Sequence, residues 1–336
     1  MKDKKLYYDI GPLLYCPANN PSIQKSISSE AFGNHYSVAL CLEDTINDNY
    51  VEEAENCLAT TLTTIFSKIQ TCNFYLPKIF VRVREPLQIK KIYDRLGSAN
   101  DILTGFIIPK FSTDNADEYI RIIQDINSVS TRPKYMMPIY ESPSIIHLKT
   151  RYDILYRLKD KLKPIEELVL NIRVGGNDLC HIFGMRRSVT ESIHQIRPIA
   201  DIFSDIISVY GADYIISGPV WEYFSGELWS DGMIREIKDD KLCGFTGKTV
   251  IHPKQIPIVN EMYKISRTDY NDALHILNWD KSNASFVSGN SRHERMDEYK
   301  THANWAKRIL LLAESYGIRE HANCTNLLSH TLPSSS

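Results

Sequence analysis

Short apolar runs that alternate with longer segments constrain the fold of this chain more than any other feature of its sequence. Within each run the hydrophobic residues follow one another without regular polar interruptions, which is typical of strands buried on both faces of a sheet. The segments between the runs have helical period, and this alternation predicts right-handed βαβ units around a parallel sheet. The eight runs are Leu13–Cys16, Ser37–Leu42, Ile79–Val83, Gly105–Pro109, Tyr135–Tyr140, Leu168–Val174, Tyr214–Ser217 and Gly247–Ile251.

Eight strands favour a closed barrel over an open doubly wound sheet. The predicted fold class is therefore α/β, a TIM (β/α)8 barrel with a C-terminal helical extension. The chain has 336 residues, and one barrel domain can account for most of that length, so we expect a catalytic barrel over residues 1–268. The segments of clearest helical period are Tyr50–Ile69, Asp114–Asn127, Ser144–Lys161, Thr190–Tyr210 and Pro253–Ile265.

The last part of the chain differs in pattern from the barrel. Residues 269–320 are expected to form a helical segment that packs on a neighbouring subunit. Within it, the polar, glycine-containing stretch Asn283–Ser291 predicts a loop, and Asp297–Tyr316 predicts a helix with one apolar face. Residues 321–336 have the composition of a disordered tail.

Composition and charge exclude several classes of protein. A net charge of −2 and a pI of about 6.6 give no sign of a nucleic-acid or anionic-membrane partner. No stretch approaches the roughly 20 apolar residues of a membrane-spanning helix, and no signal-peptide pattern is present, so we expect a cytoplasmic protein. The seven cysteines are scattered and odd in number, which argues against a disulfide framework or a structural zinc site. A nucleotide cofactor is unsupported because neither a dinucleotide fingerprint nor a phosphate loop is present.

Charged residues and a histidine follow six of the predicted strands. The C-terminal ends of the strands of a TIM barrel converge on the active site, so these side chains are expected to meet there. Any one of them taken alone can also be a solvated loop residue. They are Glu43, Asp44, Arg82, Arg84, Lys110, Glu141, Asp178 and His252.

Glu141 and Asp178 are the candidate metal ligands. Glu141 directly follows a hydrophobic strand, and Asp178 follows the next strand across a glycine pair, so both can project into the mouth of the barrel. Two carboxylates, completed by water and a chelating substrate, are the usual means by which a protein holds Mg²⁺, and Mn²⁺ suits the same oxygen ligands. The competing interpretation is a structural ion pair, for example between Asp178 and Arg82.

Arg82 and Arg84 are the candidate substrate-binding cations. One residue separates them, which places both side chains on the same face of a strand. A guanidinium inside the barrel suits bidentate capture of a carboxylate and stabilisation of a developing enolate oxygen. Alternatively, one of the two arginines neutralises Glu43 or Asp44.

Two further features at strand ends point to ligand binding. The Gly175–Gly176 pair would let the backbone approach a ligand closely. His252 precedes Pro253, so it either orients a substrate or loop, or simply begins the following helix with proline in its first turn.

Six short motifs occur in the order found in a known family. Together they show that the chain resembles the HpcH/HpaI aldolase family of citrate lyase β-subunit-like enzymes, which includes malyl-CoA lyases, from about Leu13 to Ile265. The most specific motif lies in Gly244–Ile256, which is similar to the family signature Gly-Lys-x-x-Ile-His-Pro-x-Gln. The others are Leu42-Glu43-Asp44, Val81-Arg82-Val83, Ile108-Pro109-Lys110, Tyr140-Glu141-Ser142-Pro143 and Gly175-Gly176-Asn177-Asp178-Leu179.

This resemblance implies a metal-dependent carbon–carbon lyase or aldolase that acts through an enolate. The implied substrate carries a carboxylate and is a 2-oxo or 3-hydroxy acid or a CoA thioester. Family members form homotrimers or hexamers in which the C-terminal segment of one subunit helps to complete its neighbour's site. The implied residues are Glu141 and Asp178 for Mg²⁺, Arg82 for a substrate oxygen, Glu43, Asp44 and Lys110 as further catalytic groups, and Asp297 or Glu298 as the C-terminal carboxylate.

The chain also departs from the family pattern. Cys41 stands where the family often has aspartate, and Arg84 stands where it usually has asparagine. These differences indicate a divergent member with a more anionic substrate than citryl-CoA or malyl-CoA. The alternatives are a thioesterase or transferase that acts on a related acyl substrate, and a ligand-binding barrel without catalysis.

Overall fold

The computed structural model describes residues 2–280, 282 and 285–319. Its central element is one sheet of eight parallel strands, and the predicted fold class is confirmed. Every strand of this sheet overlaps one of the eight apolar runs. The strands are β1 Pro12–Pro17, β2 Ser37–Cys41, β3 Lys78–Arg82, β4 Leu103–Ile108, β5 Tyr135–Tyr140, β6 Ile172–Val174, β7 Ile216–Ser217 and β8 Lys248–Val250.

The strands follow one another around a ring. Their order is β7-β6-β5-β4-β3-β2-β1-β8, so every strand from β1 to β7 pairs with its neighbour in sequence. β8 then pairs with β1, where Pro12 lies opposite Lys248. A parallel bridge between Gly218 and Lys248 joins the end of β7 to β8 and closes the barrel.

Helices surround the strands, and several of the longer ones carry an apolar stripe that faces the sheet. In the helix after β4, Tyr119, Ile122, Ile123 and Ile126 are buried at the spacing that forms one helical face. The helices up to the end of the barrel are α1 Lys5–Tyr8, α2 Ile23–Ser28, α3 Val51–Ile69, α4 Pro86–Leu96, α5 Ala116–Val129, α6 Leu148–Leu162, α7 Gly176–Ile182, α8 Arg197–Tyr210, α9 Trp229–Leu242 and α10 Ile256–Tyr263. Short 3₁₀ turns occupy Asp48–Tyr50, Gly97–Ile102, Pro143–Ile145, Lys163–Leu168, Ile193–Gln195 and Pro253–Gln255.

The chain folds into two compact units, Met1–Met262 and a second that begins at Tyr263. The second unit contains α11 Arg267–Leu277 and α12 Tyr299–Tyr316, which pack on each other. It also contains the parallel pair β9 Ile265–Ser266 and β12 Ile318–Arg319, and the antiparallel pair β10 Val287–Gly289 and β11 Met296–Glu298.

One expectation about the second unit, the loop over Asn283–Ser291, is wrong in part. The loop predicted over Asn283–Ser291 contains β10, which pairs with β11 across a turn, and α12 begins at Tyr299 rather than at Asp297. All three residues of β10 are exposed and it has no buried apolar face, so its strand character depends on pairing that composition does not reveal. The tail predicted over 321–336 lies outside the described residues.

Two further features bear on the expected class of protein. None of the helices in the described part of the chain has the length and apolar character that a bilayer span requires. The six cysteines in that part are free thiols, and the seventh, Cys324, lies outside it.

Candidate active site

A cavity of about 420 Å³ opens at the C-terminal ends of the barrel strands. Five of the residues singled out from sequence line it: Arg82, Glu141, Gly175, Gly176 and Asp178. The strand ends therefore bring together residues that lie up to 96 positions apart in the chain, from 82 to 178. Tyr15, Arg173 and Thr249 also line the cavity.

Arg82, the last residue of β3, lies among three carboxylates. Its Nη2 is 2.7 Å from Glu43 Oε2, 3.0 Å from Asp44 Oδ2 and 3.4 Å from Glu141 Oε1. These contacts match the interpretation in which Arg82 neutralises Glu43 and Asp44. Arg82 Nε is buried and has no hydrogen-bond partner within the described part of the chain. This N–H is therefore a buried donor that none of the described residues satisfies.

Lys110 joins the same cluster from the end of β4. Its Nζ is 2.7 Å from Glu43 Oε1 and 3.2 Å from Asp44 Oδ1, and the hydrogen bond to Glu43 is the largest cause that raises the pKa of Lys110 above its ordinary value. The backbone of Lys110 has φ +49°, a conformation that is costly for a residue with a side chain. In this conformation its backbone N–H donates to Glu141 Oε1 at 3.0 Å.

Glu141 is the most strongly perturbed carboxyl of the cavity. Only 3% of the residue is exposed, and burial raises its pKa to about 8, with Arg82 opposing the shift and the nearby Asp178 carboxylate adding to it. Its Oε2 lies directly over Gly175, where an added β-carbon would overlap it. The glycine thus lets the backbone approach this carboxylate, whereas the expectation was an approach to a ligand.

Asp178 reaches the cavity from the first turn of α7. Gly176, where that helix begins, packs against Ile193 and Pro219, and a β-carbon there would meet the Ile193 side chain. The two glycines therefore have different structural roles. Gly175 makes room for Glu141, and Gly176 brings the start of α7 close to the neighbouring loops.

The two carboxylates suit a hard divalent cation. Asp178 lies close enough to Glu141 to disfavour the charge of Glu141, and a cation between the two carboxylates would remove that cost. Among the described residues, no group of three or more His, Cys, Asp or Glu side chains is arranged to hold a metal. A two-carboxylate site completed by water and substrate is typical of Mg²⁺, which retains much of its water shell in proteins.

We expected Arg84 to share a strand face with Arg82, but its side chain contacts the loop after β2 instead. Its guanidinium donates to the backbone oxygens of Leu42 at 2.7 Å and Ile46 at 2.5 Å, and to Asp48 Oδ1 at 2.7 Å. It does not line the cavity. β3 ends at Arg82, so the period-two rule no longer applies two residues later. Arg84 therefore stabilises the loop that follows β2.

His252 does not line the cavity either. Its Nδ1 accepts a hydrogen bond from the backbone N–H of Lys254 at 3.2 Å, and Pro253 occupies the first position of the 3₁₀ turn that follows. Its ring stacks on Phe224 with centroids 4.9 Å apart. These contacts match the interpretation in which His252 begins the next helical segment and orients a loop.

Sequence reasoning missed Arg173, Tyr15 and Thr249, which lie within strands rather than after them. Arg173 is only 2% exposed, and its Nη2 donates to Thr249 Oγ1 at 2.6 Å. A signal was present in the sequence: Asn171 and Arg173 interrupt an otherwise apolar run at a spacing of two, which is the period of one strand face.

The lysine of the Gly244–Ile256 motif belongs to a second buried cluster behind the strands. Lys248 Nζ lies 2.6 Å from Asp240 Oδ2 and 3.0 Å from Glu236 Oε1, and all three residues are fully buried. Arg187 Nε lies 2.8 Å from Glu236 Oε2. This cluster ties β8 to α9 and to the segment before α8, so Lys248 supports the barrel wall.

The two candidate carboxylates of the second unit differ in environment. Asp297 is 2% exposed, and its Oδ2 lies 3.1 Å from His275 Nδ1. Glu298 is half-buried, and its backbone N–H donates to His302. Asp297 is therefore shielded from solvent, whereas half of the side chain of its partner His275 is exposed.

Comparison with known proteins identifies the class of this barrel. The family model described as C–C bond lyase of the TIM-barrel fold matches residues 4–318. No curated protein matches the chain.

Several solved structures have the same fold. A citrate lyase from Burkholderia xenovorans is 13% identical, with a TM-score of 0.68 over 93% of this chain and 94% of that one. CitE from Mycobacterium tuberculosis, in complex with magnesium, acetoacetate and coenzyme A, is 18% identical, with a TM-score of 0.60 over 92% of this chain and 99% of that one. The citrate lyase β subunit of the same organism, complexed with oxaloacetate and magnesium, is 19% identical, with a TM-score of 0.51 over 77% and 99%.

Proposed function

The chain belongs to the C–C bond lyase family of the TIM-barrel fold and is a carbon–carbon lyase; on this premise we propose that its reaction depends on a divalent metal and passes through an enolate. The predicted family is thereby confirmed. The proposed substrate carries a carboxylate and is a 2-oxo or 3-hydroxy acid or a CoA thioester. The solved relatives described with magnesium, oxaloacetate and coenzyme A support this choice of ligands.

One observation carries the proposal. Glu141 is buried beside Asp178 with its pKa raised to about 8, and the backbone at Gly175 lacks the side chain that would displace its carboxylate. A protein retains such a pair at the cost of desolvation and repulsion, and a bound cation offsets both. Glu141 and Asp178 would hold Mg²⁺ or Mn²⁺, and the ion when bound would supply Lewis-acid stabilisation of negative charge on substrate oxygens.

Arg82, Glu43, Asp44 and Lys110 are proposed to stabilise the negative charge that develops on the substrate oxygens. Arg82 presents its buried Nε–H to the substrate oxygen on which negative charge develops, and a fixed cation there lowers the barrier without reorganisation. Glu43 and Asp44 hold Arg82 in place through the ion pairs at 2.7 and 3.0 Å. Lys110 offsets the charge of these two carboxylates and positions Glu141 through its backbone N–H.

The proton acceptor is proposed to come from the C-terminal unit of a neighbouring subunit in a homotrimer or hexamer. Asp297 and Glu298 are the candidates. Asp297 would act through His275, because its own oxygens are buried and Oδ2 lies 3.1 Å from the imidazole. An aspartate behind an exposed histidine fixes the tautomer of the imidazole and leaves its other ring nitrogen as the proton acceptor.

The metal assignment is tested with isosteric variants. E141Q and D178N should each weaken Mn²⁺ binding, measured by calorimetry or by electron paramagnetic resonance, about tenfold or more because each removes one of two anionic ligands. E222Q is the matched control, since Glu222 also lines the cavity but is paired with Arg186 at 3.3 Å. If E141Q and D178N bind Mn²⁺ as tightly as E222Q and the wild type do, the proposed metal site is wrong.

A further inference from the structure

Tyr15 brings a phenolic hydroxyl into the cavity from the middle of β1. The residue lines the cavity together with Arg82 and Glu141. It lies opposite Ala39 of β2, and because paired residues of neighbouring strands point to the same face of a sheet, the small alanine leaves room inside the barrel for the tyrosine ring. The guanidinium carbon of Arg82 lies 5.8 Å from the centroid of this ring, so the two side chains are in contact across β2.

The hydroxyl of Tyr15 forms no hydrogen bond with any residue that the structure describes. Buried tyrosine hydroxyls usually have a partner. Tyr140, for example, donates to the hydroxyl oxygen of Tyr210 at 2.8 Å. An enclosed hydroxyl without a partner is costly, whereas one that faces a cavity can bond to a ligand there. The position of Tyr15 therefore suits contact with a bound molecule.

The electrostatic surroundings of Tyr15 make its hydroxyl a donor. Burial raises its pKa above the ordinary value for tyrosine, and the guanidinium charges of Arg173 and Arg82 oppose that shift only in part. The hydroxyl is therefore protonated at neutral pH. A protonated phenol that lies near two cations suits an acceptor with negative charge and is a poor general base.

Arg82 supplies a second donor that the described residues do not satisfy. Its Nη2 lies within 3.4 Å of three carboxylates, but its buried Nε–H has no hydrogen-bond partner in the described part of the chain. Two side chains in contact, Tyr15 and Arg82, thus each bring an unsatisfied donor to one cavity. Such a pair of fixed donors suits an oxygen on which negative charge develops.

We propose that Tyr15 is a further catalytic residue, whose hydroxyl donates a hydrogen bond to the substrate oxygen that becomes the enolate oxygen. This inference rests on the proposed function, because it takes the enolate as the intermediate. Cleavage of the C–C bond leaves its electron pair on the enolate, whose oxygen gains negative charge, and Tyr15 keeps its own proton throughout. A hydrogen bond to a charged acceptor is stronger than one to a neutral acceptor, so this contact favours the transition state over the bound substrate.

Pyruvate and oxalate provide the test, because both chelate a divalent metal through a carboxylate oxygen and an adjacent oxygen. The adjacent oxygen is a neutral ketone in pyruvate and carries charge in oxalate, which therefore resembles the enolate of pyruvate. In the presence of Mg²⁺, the wild type should bind oxalate about tenfold or more tightly than pyruvate in a calorimetric titration. Y15F keeps the ring beside Arg82 and should weaken oxalate binding about tenfold, with at most about a threefold effect on pyruvate.

T45V is the matched control. Thr45 also lines the cavity, but its hydroxyl donates to the backbone oxygen of Cys41 at 3.4 Å, so the loss of that hydroxyl should leave both affinities within about twofold. A wild type without a preference for oxalate, or a Y15F variant that keeps the preference or weakens both acids equally, would overturn the role of Tyr15, while Mg²⁺-dependent binding of pyruvate left the metal site standing. If the wild type binds neither acid in a Mg²⁺-dependent manner, the proposed function fails and the inference fails with it.

Discussion

At the scale of single residues, Gly175 decides where the carboxylate of Glu141, the proposed metal ligand, lies. Glu141 Oε2 occupies the space that a β-carbon at position 175 would need, and the backbone of Lys110 fixes the other oxygen from a strained conformation. The position of this carboxylate is thus set by backbone on both sides. Such support is what holds a catalytic group within the narrow tolerance that chemistry requires.

The substitution G175A tests this account. The added methyl group should push the Glu141 carboxylate from its place and weaken Mn²⁺ binding about tenfold or more, because one of two ligands is misplaced. G176A is the matched control: its methyl group meets the flexible end of the Ile193 side chain, so it should lower thermal stability more than metal affinity. Equal metal affinity in G175A and the wild type, measured by the same titration, would contradict the account.

The sequence identified the residues that end strands but not those inside them. Glu141 and Asp178 were predicted because a charge after an apolar run is conspicuous. Arg173 was missed because a single arginine in such a run resembles an interruption of the strand. Arg84 was assigned to the pocket because the rule of alternation does not show where β3 ends, and the contacts place its guanidinium on the loop after β2.

At the scale of elements, Lys134, the residue before β5, is bonded to the first residue of β4 and to the 3₁₀ turn before it. The residue is 1% exposed, and its Nζ donates to the backbone oxygens of Asn100 at 2.6 Å and Leu103 at 2.8 Å. Burial lowers the pKa of this lysine to about 8. The partners are neutral carbonyl groups, which satisfy the hydrogen bonds of the amine but do not neutralise its charge.

This lowered pKa predicts a pH dependence of stability. Below pH 8 both folded and unfolded chains carry the charged lysine, and the folded state bears the full cost of burying it. Between pH 8 and about 10.4, the usual lysine value, the folded chain releases the proton first, so stability rises with pH. The free energy of unfolding of the wild type should rise through this window by about 2 kcal/mol relative to K134M. Urea denaturation at several pH values measures it, and parallel curves for the two proteins would exclude the effect.

The strands and helices of the barrel were predictable because each buries a regular apolar pattern. The pairs outside the barrel were not, since β10 is exposed and β11 follows an irregular turn. α4 and α9 were absent from the expected helices. Both are mostly polar, and only a narrow stripe of each, such as Ile89 and Ile92 in α4, is buried.

At the scale of the whole molecule, the barrel depends on β8, which pairs with β1 and meets the end of β7. Lys248 lies at this junction, and its ammonium group is fully buried between Asp240 and Glu236. The ring of strands and the surrounding helices are therefore coupled at one cationic side chain. The fold class was predictable from the count of strands, but the buried charge network was not, because its members come from separate elements.

Removal of the Lys248 charge should therefore destabilise the barrel as a unit. K248M leaves Glu236 with Arg187 and Asp240 with His194 as their remaining partners, and breaking a buried ion pair in this way costs about 3–5 kcal/mol. K90M is the control, since Lys90 forms an exposed pair with Asp94 at 2.9 Å and should cost less than about 1 kcal/mol. Urea midpoints of the three proteins measure the difference, and a K248M midpoint equal to that of K90M would refute the role assigned to the cluster.

The closure of the ring through β8 also sets an order of assembly during synthesis. β1 is complete after residue 17, but its partner β8 spans residues 248–250, so one edge of β1 stays open until more than 230 further residues, from 18 to 250, have left the ribosome. Open strand edges are sites of aberrant pairing, and contacts of such long range form slowly. Arg173 meets Thr249 only after this last strand arrives. The nascent chain therefore completes this part of its cavity at the moment when its most exposed edge disappears.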